Sequence, residues 1–280
     1  MLKIVMDSAG DIPQEWRSEY EIEVIPINIQ FENKTYQQGV DLSNDDFYHL
    51  ADSSGVIPKT SQPTPQQFVD FYNRIAEASD TVLSLHVTSK LSGTFNSAVL
   101  AARQLKNKLN IIPYDSGSGS AAVGFMCKEI RQLDRAGATL QAILARLDVI
   151  RQNVNVVLTL DTLEYARRSG RVKALQAALA ALVNIKPVII LKDGALDMRE
   201  KVRTRQRAIN RVLEIIQQRV GDRLVNIAVV HSQSLEAAKE LMKKVNETFH
   251  VNEAILSDLS IGVAANLGPG TIGIIAYAVA

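Results

Sequence analysis

Residues 58–97 read PKTSQPTPQQFVDFYNRIAEASDTVLSLHVTSKLSGTFNS, and this stretch decides the fold because it joins two helix starts through one strand. Thr64, Pro65 and Gln67 match a capping box with a proline at the first helical position, so a helix is predicted to begin at Pro65. The segment 81–87 is apolar and partly β-branched, long enough for one buried strand and too short for a helix. This order of elements is typical of an α/β fold.

Two hydroxyl-rich loops precede the two helices, the first at 60–64 and the second at 88–94, where a helix from Phe95 follows. The free N–H groups and the positive dipole end of a helix favour an anion, and Gly93 lets a ligand come close to the backbone. Serine and threonine hydroxyls add neutral donors, which suit a carboxylate or a phosphate beside apolar surface. The loops either only cap their helices or hold the anionic end of a ligand, and the residues alone leave both interpretations open.

Strands and helices alternate through the first half, which predicts a mostly parallel α/β sheet for a first domain at 1–153. The loop at 7–11 follows the first strand, and in open parallel sheets such loops line the ligand crevice. The predicted strands are 2–6, 22–31, 81–87 and 111–114, and the predicted helices are 44–51, 65–75, 95–105, 121–136 and 139–153, with a hairpin turn at 33–34.

The pattern of predicted strands and helices changes near residue 153. The range 154–280 is predicted to be a second domain with mixed strand directions. Asp193 and Gly194 give a hairpin signal between two strands, which indicates antiparallel pairing there. The predicted strands are 154–160, 185–191, 196–202, 225–230, 255–258 and 271–278, and the predicted helices are 161–168, 173–183, 205–219 and 234–247.

The composition is that of an ordinary globular chain, with 280 residues, 46% of them hydrophobic, a net charge of +1 and one cysteine. This length fits one large or two moderate domains, and the small net charge argues against a nucleic-acid binder held by phosphate attraction. Cys127 lies in an apolar helical run, so a disulfide framework is excluded and a reducing cytoplasm is expected. The chain has no apolar window of about eighteen residues and no secretory start, so we expect a cytoplasmic protein without stable membrane insertion.

The loop Gly117–Ala122 fits the dinucleotide pattern G-x-G-x-x-A after a strand and before a helix. Its context is unfavourable, because no acidic residue stands at a strand end about twenty positions later. A tight turn lining the cleft between the domains is therefore the default interpretation. A small-molecule transferase or a dinucleotide-dependent enzyme is the alternative, and a purely structural or regulatory role is a third.

The four histidines, His49, His86, His231 and His250, are widely scattered in the sequence. Neither an H-E-x-x-H nor a C-x-x-C pattern occurs, so we expect no metal and no cofactor. A Ser-His-Asp set stays open, since nothing singles out one serine as a nucleophile.

The run TSQPT at 60–64, together with SKLSGTFNSA at 89–98, resembles the signature pair of the bacterial DegV family. The resemblance implies a two-domain, DegV-like α/β fold that binds one long-chain fatty acid. As in the binding subunits of bacterial fatty acid kinase, the protein would present the carboxylate to a separate ATP-using partner and carry out no catalytic step itself. Further marks of the family follow in the expected order across the chain: Asp7-Ser8, Asp115-Ser116, SGRV at 169–172, NIKPVI at 184–189 and GPGTIGI at 268–274.

In the fatty-acid hypothesis the two loops hold the carboxylate at the junction of the domains, and the apolar range 154–280 buries the tail. Burying about fourteen methylenes at roughly 0.8 kcal/mol each gives at most about 11 kcal/mol before entropic costs, so the tail would dominate affinity. The predicted ligand contacts are Thr60, Ser61 and Ser92 through hydroxyls, Gly93 and Thr94 through the backbone, Arg171 in the SGRV segment, and Asn266 before GPG.

One basic cluster surrounds the SGRV segment, and a second lies within the range 201–207. An ordinary solvated surface would explain either cluster. By resemblance, Arg171 points inward, and Arg203 faces the kinase partner and its nucleotide phosphates. Asn266 stands at or near the place where many family members carry a histidine. An amide can donate a hydrogen bond but cannot carry charge, so carboxylate binding is compatible with this change, while headgroup protonation, ligand preference and phosphate transfer could differ.

Overall fold

The structure of the chain is a computed structural model that describes residues 1–172, 175 and 185–279. The helix predicted at 173–183 lies outside the described residues except for Leu175, and so does the first residue of NIKPVI. The chain divides into two compact units, here called the first and the second unit: Met1–Arg151 with Ser260–Gly262, and Gln152–Leu259 with Val263–Ala280. The predicted α/β fold is confirmed, with a parallel sheet in the first unit and a mixed sheet in the second.

The first unit is built on a four-stranded parallel sheet. In spatial order its strands are Ile22–Ile25 (β2), Leu2–Asp7 (β1), Thr81–His86 (β6) and Asn110–Asp115 (β7), and its helices are Gln14–Glu19 (α1), Asn44–Ser54 (α2), Pro65–Ile75 (α3), Thr94–Gln104 (α4), Ala121–Arg135 (α5) and Leu140–Asn153 (α6). Val5 and Val82 of the sheet form a core with Phe68 and Tyr72 of α3 and with Ala98 of α4. Burying a large apolar side chain contributes roughly 1.5–3 kcal/mol, so this core fixes α3 and α4 on the sheet.

The start of α3 follows the predicted capping box. Thr64 Oγ1 accepts a hydrogen bond from the Gln67 N–H at 3.1 Å, and Gln67 Oε1 accepts one from the Thr64 N–H at 2.8 Å. Pro65 occupies the first helical turn, where its missing N–H is not needed. The prediction is confirmed, and the first hydroxyl-rich loop therefore ends at a well-defined point.

The prediction of one strand over 22–31 is wrong, because the run divides between two sheets. β2 ends at Ile25, and the next strand, Asn28–Phe31 (β3), pairs antiparallel with Lys34–Gln37 (β4) and Lys59–Ser61 (β5) in a small sheet of the order β4-β3-β5. Pro26 has no N–H for a ladder, and the Ile27 N–H donates to Ser8 Oγ at 2.9 Å. The chain therefore leaves the parallel sheet at this proline.

The second unit is built on a six-stranded mixed sheet. In spatial order its strands are Ala195–Val202 (β10), Lys186–Lys192 (β9), Asn155–Thr159 (β8), Ile272–Ala278 (β13), Val225–His231 (β11) and Val251–Asp258 (β12). Among the described strands of this sheet only β11 and β12 pair in parallel, so the prediction of mixed directions is confirmed. The turn between β9 and β10 has φ of 49° at Asp193 and 78° at Gly194, the positive values that a two-residue hairpin turn requires.

The mixed sheet is apolar on both faces. Val157, Val229 and Ile274 lie in register across three strands and pack on two of the helices. Leu158 and Ile275 lie on the opposite face and are also buried. The helices described after Gln152 are Glu164–Ser169 (α7), Arg205–Val220 (α8), Leu235–Thr248 (α9) and Ile261–Leu267 (α10), of which α8 and α9 form this core.

A short segment from the far end of the chain completes the first unit. The Ser260 N–H donates to Asp11 Oδ1 at 2.9 Å, and the Gly262 N–H donates to Gln38 Oε1 at 2.8 Å. Gln38 Nε2 donates in turn to the Ser8 carbonyl oxygen at 2.9 Å. The first unit is therefore made of two stretches that are more than a hundred positions apart in the sequence.

Candidate functional site

The two hydroxyl-rich loops lie against each other in the first unit. The Gln62 side chain covers Gly93, since a Cβ atom added at Gly93 would lie 2.8 Å from Gln62 Nε2. Asn28 Nδ2 donates to the Gln62 carbonyl oxygen at 3.3 Å and to Gln67 Oε1 at 3.2 Å, which holds the first loop in place. Gly93 has an ordinary φ of −79°, so its missing side chain serves the close approach of Gln62 and not a left-handed turn.

Thr60 and Ser61 close β5, where they pair with Ile29 and Asn28. Consecutive residues of a strand point to opposite faces, so the two hydroxyls project in opposite directions from the small sheet. Thr60 is half-buried and Ser61 is exposed. Only one of the two side chains can therefore reach a given ligand atom.

Ser92 and Thr94 form a hydroxyl pair at the start of α4, with their oxygen atoms 2.8 Å apart. The Thr94 N–H donates to Ser92 Oγ at 3.3 Å, and the Ser92 N–H donates to the Thr88 carbonyl oxygen at 3.2 Å. Thr94 is buried and Ser92 is half-buried, so Ser92 is the more accessible hydroxyl. The pair lies at the positive dipole end of α4, which favours an anionic group.

The candidate dinucleotide loop Gly117–Ala122 binds carboxylates of the protein itself. Asp115 Oδ1 accepts hydrogen bonds from the Gly117 N–H at 3.0 Å and the Ser89 N–H at 3.2 Å. Ser120 Oγ donates to the buried carboxylate of Asp11. Two negative charges beside this loop disfavour a pyrophosphate, because like charges repel strongly where water is scarce. This arrangement weighs against the dinucleotide alternative, and Asp115 connects this loop to the second hydroxyl-rich loop by accepting from both Gly117 and Ser89.

Two further predicted site residues meet around Ser169 in the second unit. Ser169 Oγ lies 3.1 Å from the carbonyl oxygens of Ala166 and Asn266, and Arg171 Nη1 donates to the Ser169 carbonyl oxygen at 2.6 Å. Burial lowers the pKa of the Arg171 guanidinium. No acidic side chain of the described residues forms an ion pair with Arg171. A half-buried cation without a carboxylate among the described groups suits an anionic ligand.

The second basic cluster contains one exposed and one tightly bound arginine. Arg203 is exposed and directly precedes the residue that caps α8. Arg205 Nη1 donates to the Gly270 carbonyl oxygen at 2.7 Å and lies 3.2 Å from Asp161 Oδ1, while Nη2 donates to Ser234 Oγ at 2.8 Å. Arg205 therefore stabilises the GPG segment, and Arg203 is free to meet solvent.

Sequence reasoning overlooked a buried polar chain made of Tyr72, Ser84, His86 and Asp7 in the first unit. None of the four has exposed surface, and each lies within hydrogen-bond distance of the next. The signal was present in the strand TVLSLH, where polar residues at positions 84 and 86 share one face of an otherwise apolar strand. Their common partner, Asp7, could not be identified from that strand alone.

The part of the chain that the structure describes contains no group of three or more His, Cys, Asp or Glu side chains that could hold a metal ion. None of its helices combines the length and the apolar character needed to cross a membrane.

Comparison with known proteins identifies the relatives of this chain. A family model described as "Uncharacterised protein, DegV family" matches residues 1–279. A DegV domain-containing protein of Halalkalibacterium halodurans is 31% identical over 278 residues, which are 99% of this chain and 98% of the relative. The solved structure of a DegV family protein from Thermus thermophilus, described by its fatty acid binding, has a TM-score of 0.91 at 31% identity and covers 99% of both chains. DegV of Bacillus subtilis, described as a fatty acid binding protein, has a TM-score of 0.90 at 28% identity and also covers 99% of both chains.

Proposed function

The chain belongs to the DegV family, and from that premise we propose that it binds one long-chain fatty acid whose carboxylate is held by the hydroxyl-rich loops of the first unit. The observation that carries the proposal is the contact of Gln62 with Gly93, which brings the two loops together. The solved relatives described as fatty acid binding support the same ligand class for this chain.

In this proposal the carboxylate accepts hydrogen bonds from the hydroxyls of Thr60 and Ser92. Thr60 takes the side-chain contact because it is half-buried, whereas Ser61 is exposed and is left with a backbone contact. The N–H groups of Gly93 and Thr94 lie at the start of α4, where the helix dipole favours the negative charge. These donors offset the loss of hydration that a carboxylate suffers on burial.

Arg171 and Asn266 complete the proposed headgroup contacts. Arg171 supplies a positive charge, which lowers the cost of burying an anion. Asn266 supplies a neutral amide at or near the place where, by resemblance, many family members carry a histidine. The range 154–280 stays the predicted lining of the acyl tail, whose methylenes would provide most of the binding free energy.

The proposal extends to a partner: we propose that the bound carboxylate is presented to a separate fatty acid kinase that supplies ATP and the phosphoryl-transfer chemistry. Arg203 supports this step because it is exposed, and an arginine fork fits phosphate oxygens well. The dinucleotide alternative is not favoured, since Asp11 and Asp115 already bind donors of the Gly117–Ala122 loop.

The test is to identify the ligand and then to remove the headgroup donors. We expect solvent extraction and mass spectrometry to recover one acyl chain per protein chain. After delipidation, Thr60→Ala with Ser92→Ala should weaken oleate binding roughly tenfold and leave methyl oleate binding nearly unchanged, because the ester lacks the charge that these donors serve.

The matched control is Thr81→Ala, a half-buried threonine at the start of β6 that belongs to neither hydroxyl-rich loop nor to the range proposed to line the tail. Absence of any acyl chain, together with no binding of added oleate, would remove the proposed function. Equal losses for oleate and methyl oleate would leave a lipid-binding protein with the wrong headgroup assignment.

A further inference from the structure

The buried polar chain of the first unit runs in one direction. Tyr72 Oη donates to Ser84 Oγ at 2.8 Å, Ser84 Oγ lies 2.8 Å from His86 Nε2, and His86 Nδ1 lies 3.1 Å from Asp7 Oδ2. Asp7 also accepts from the Val87 N–H at 2.9 Å through Oδ2, and from the next loop's Ala9 N–H at 3.0 Å through Oδ1. These two backbone N–H groups require that both oxygen atoms of the Asp7 carboxylate act as acceptors.

One protonation pattern satisfies every member of the chain. A carboxylate at Asp7 can only accept, so His86 must donate from Nδ1. The neutral imidazole then accepts at Nε2 from Ser84, which leaves Ser84 Oγ to accept from Tyr72. Burial raises the pKa of Tyr72, against the opposing effect of its bond to Ser84, so the phenol stays a donor.

The arrangement has the three residue types of a hydrolase triad but cannot act as one. A serine nucleophile must reach a substrate carbon, and Ser84 has no exposed surface. Its oxygen is also already bound by Tyr72. Four polar groups held in a dry interior, fully paired, instead make a rigid connection between the elements that carry them.

Those elements are the ones that carry the hydroxyl-rich loops. Tyr72 belongs to α3, which begins where the first loop ends, and Phe68 of the same helix sets its ring edge against His86 at 5.1 Å and 88°. Asp7 accepts a hydrogen bond from the N–H of Val87, which is the residue directly before the second loop. Ser84 and His86 lie on β6, one of the two inner strands of the parallel sheet. The polar chain is thus attached to the segment beside each loop.

We propose that Tyr72, Ser84, His86 and Asp7 form a positioning relay that holds the two hydroxyl-rich loops at the separation a carboxylate needs, with His86 fixed as the neutral Nδ1–H tautomer. The proposal rests on the proposed fatty acid binding and adds residues that would not touch the ligand. Their effect on binding would pass through the positions of the loop donors.

Ser84→Ala tests the relay by removing the oxygen atom that joins its two halves. The Tyr72 phenol then has no acceptor at Ser84, and His86 Nε2 has no donor there, so α3 and Asp7 are no longer connected through the polar chain. We expect the preference for oleate over methyl oleate to fall roughly tenfold, and the ¹⁵N shifts of the wild-type His86 ring to show its proton on Nδ1.

A pair of tyrosine variants keeps the test independent of folding. Tyr72→Phe removes the donor at the end of the relay, and Tyr277→Phe removes an equally buried phenol that accepts from Asn226 Nδ2 at 2.7 Å in the second unit. Both variants lose one buried hydroxyl, so similar stability losses are expected. Only Tyr72→Phe should reduce the preference for oleate over its methyl ester, because any contact of Tyr277 with the acyl tail would be shared by the acid and the ester.

Three results would overturn the relay. The first is an unchanged oleate preference in folded Ser84→Ala and Tyr72→Phe proteins. The second is an equal loss of preference in Tyr277→Phe, and the third is a wild-type His86 that carries its proton on Nε2 or on both nitrogens. If wild-type protein binds no oleate at all, the proposed function fails and the positioning role fails with it.

Discussion

Each unit of the molecule places a histidine at the carboxyl end of a strand beside an aspartate, and the two pairs differ in almost every physical respect. His86 and Asp7 of the first unit are both without exposed surface, and both ring nitrogens have polar partners. His231 of the second unit is also buried, with 4% of its side chain exposed, but its partner Asp258 is 65% exposed. His231 Nδ1 lies 3.0 Å from Asp258 Oδ1, which is within ion-pair distance. It nevertheless forms no hydrogen bond with Asp258 or with any other described residue.

The difference shows that a residue pair is defined by the surroundings of both members. A carboxylate in water interacts weakly with its neighbour because the solvent screens its charge. A carboxylate removed from water must be fully paired, and it then fixes the groups that pair with it. Asp7 holds two backbone N–H groups besides His86, whereas the exposed carboxylate of Asp258 can exchange its partner for water.

The largest expected effect is a difference in unfolding free energy between alanine variants of the two aspartates. Asp7→Ala leaves the His86 ring and two backbone N–H groups without their buried acceptor, so the free energy of unfolding should fall by roughly 3–5 kcal/mol. Asp258→Ala removes a solvated charge and should cost about 0–1 kcal/mol. Urea unfolding followed by circular dichroism measures both variants, and fluorescence of Trp16, the single tryptophan, reports on the first unit.

Equal destabilisation by the two alanine variants would contradict the distinction drawn between a buried and a solvated pair. Asp258→Asn serves as the control of shape for the second unit. Its stability should match that of the wild type within a few tenths of a kcal/mol.

An intermediate effect is expected on the reaction rate when Arg203 is replaced. It would separate the exposed arginine of the second unit from the loops of the first unit, which bind the ligand in the proposal. If a fatty acid kinase acts on the bound acid as proposed, Arg203→Ala should slow acyl-phosphate formation roughly tenfold, because a charged hydrogen bond to phosphate is lost. Oleate affinity should stay at the wild-type value. The assay follows ATP consumption with saturating oleate, together with direct titration of the acid.

Arg207→Ala is the matched control, since Arg207 is an exposed arginine of the same cluster. If both substitutions slow the reaction equally, general charge of this surface is responsible and not a specific contact of Arg203. A loss of oleate affinity in Arg203→Ala would place this residue in the binding site instead.

The smallest effect concerns the pH dependence of the second pair. Burial lowers the pKa of His231, and the charge of Asp258 opposes this change without reversing it. The unfolded chain therefore takes up a proton at a higher pH than the folded protein does. His231 thus contributes stability that is complete above its ordinary pKa of about 6.5 and is lost as the pH falls toward its lowered folded value.

The stability advantage of the wild type over His231→Gln should accordingly shrink between about pH 7.5 and pH 5. Asp258→Asn removes the opposing charge, so an NMR titration should find the pKa of His231 still lower in that variant. A pKa of His231 above the ordinary value would show that the carboxylate outweighs burial. A rise of the His231 pKa in Asp258→Asn would show that the Asp258 charge does not raise this pKa.

The elements predicted well from the sequence are those whose signals are local. The capping box of Thr64 and Gln67 needs residues three positions apart, and the turn at Asp193 and Gly194 needs two neighbours with positive φ. Each of these depends on chemistry within one turn of chain. The adjacency of the two hydroxyl-rich loops was expected only through the family resemblance, because it depends on the packing of Gln62 on Gly93.

The features that were missed depend on contacts between distant residues. The run 22–31 has the pattern of one strand, and its division at Pro26 is settled by which sheet each half joins. Asp7 and His86 are 79 positions apart, so neither segment alone predicts that the two side chains pair or which of them donates the hydrogen bond. Short helix α10 carries too few residues for a clear periodicity, and it was not predicted.

The short segment Ser260–Gly262 has a consequence for how the protein is made. It supplies backbone donors to Asp11 and Gln38, two side chains synthesised more than two hundred residues earlier. The ribosome synthesises the chain from its amino end, so the parallel-sheet unit lacks these donors until residue 262 has been added. A nascent chain that stops at Arg151 carries the strands of that unit and lacks the piece that finishes it.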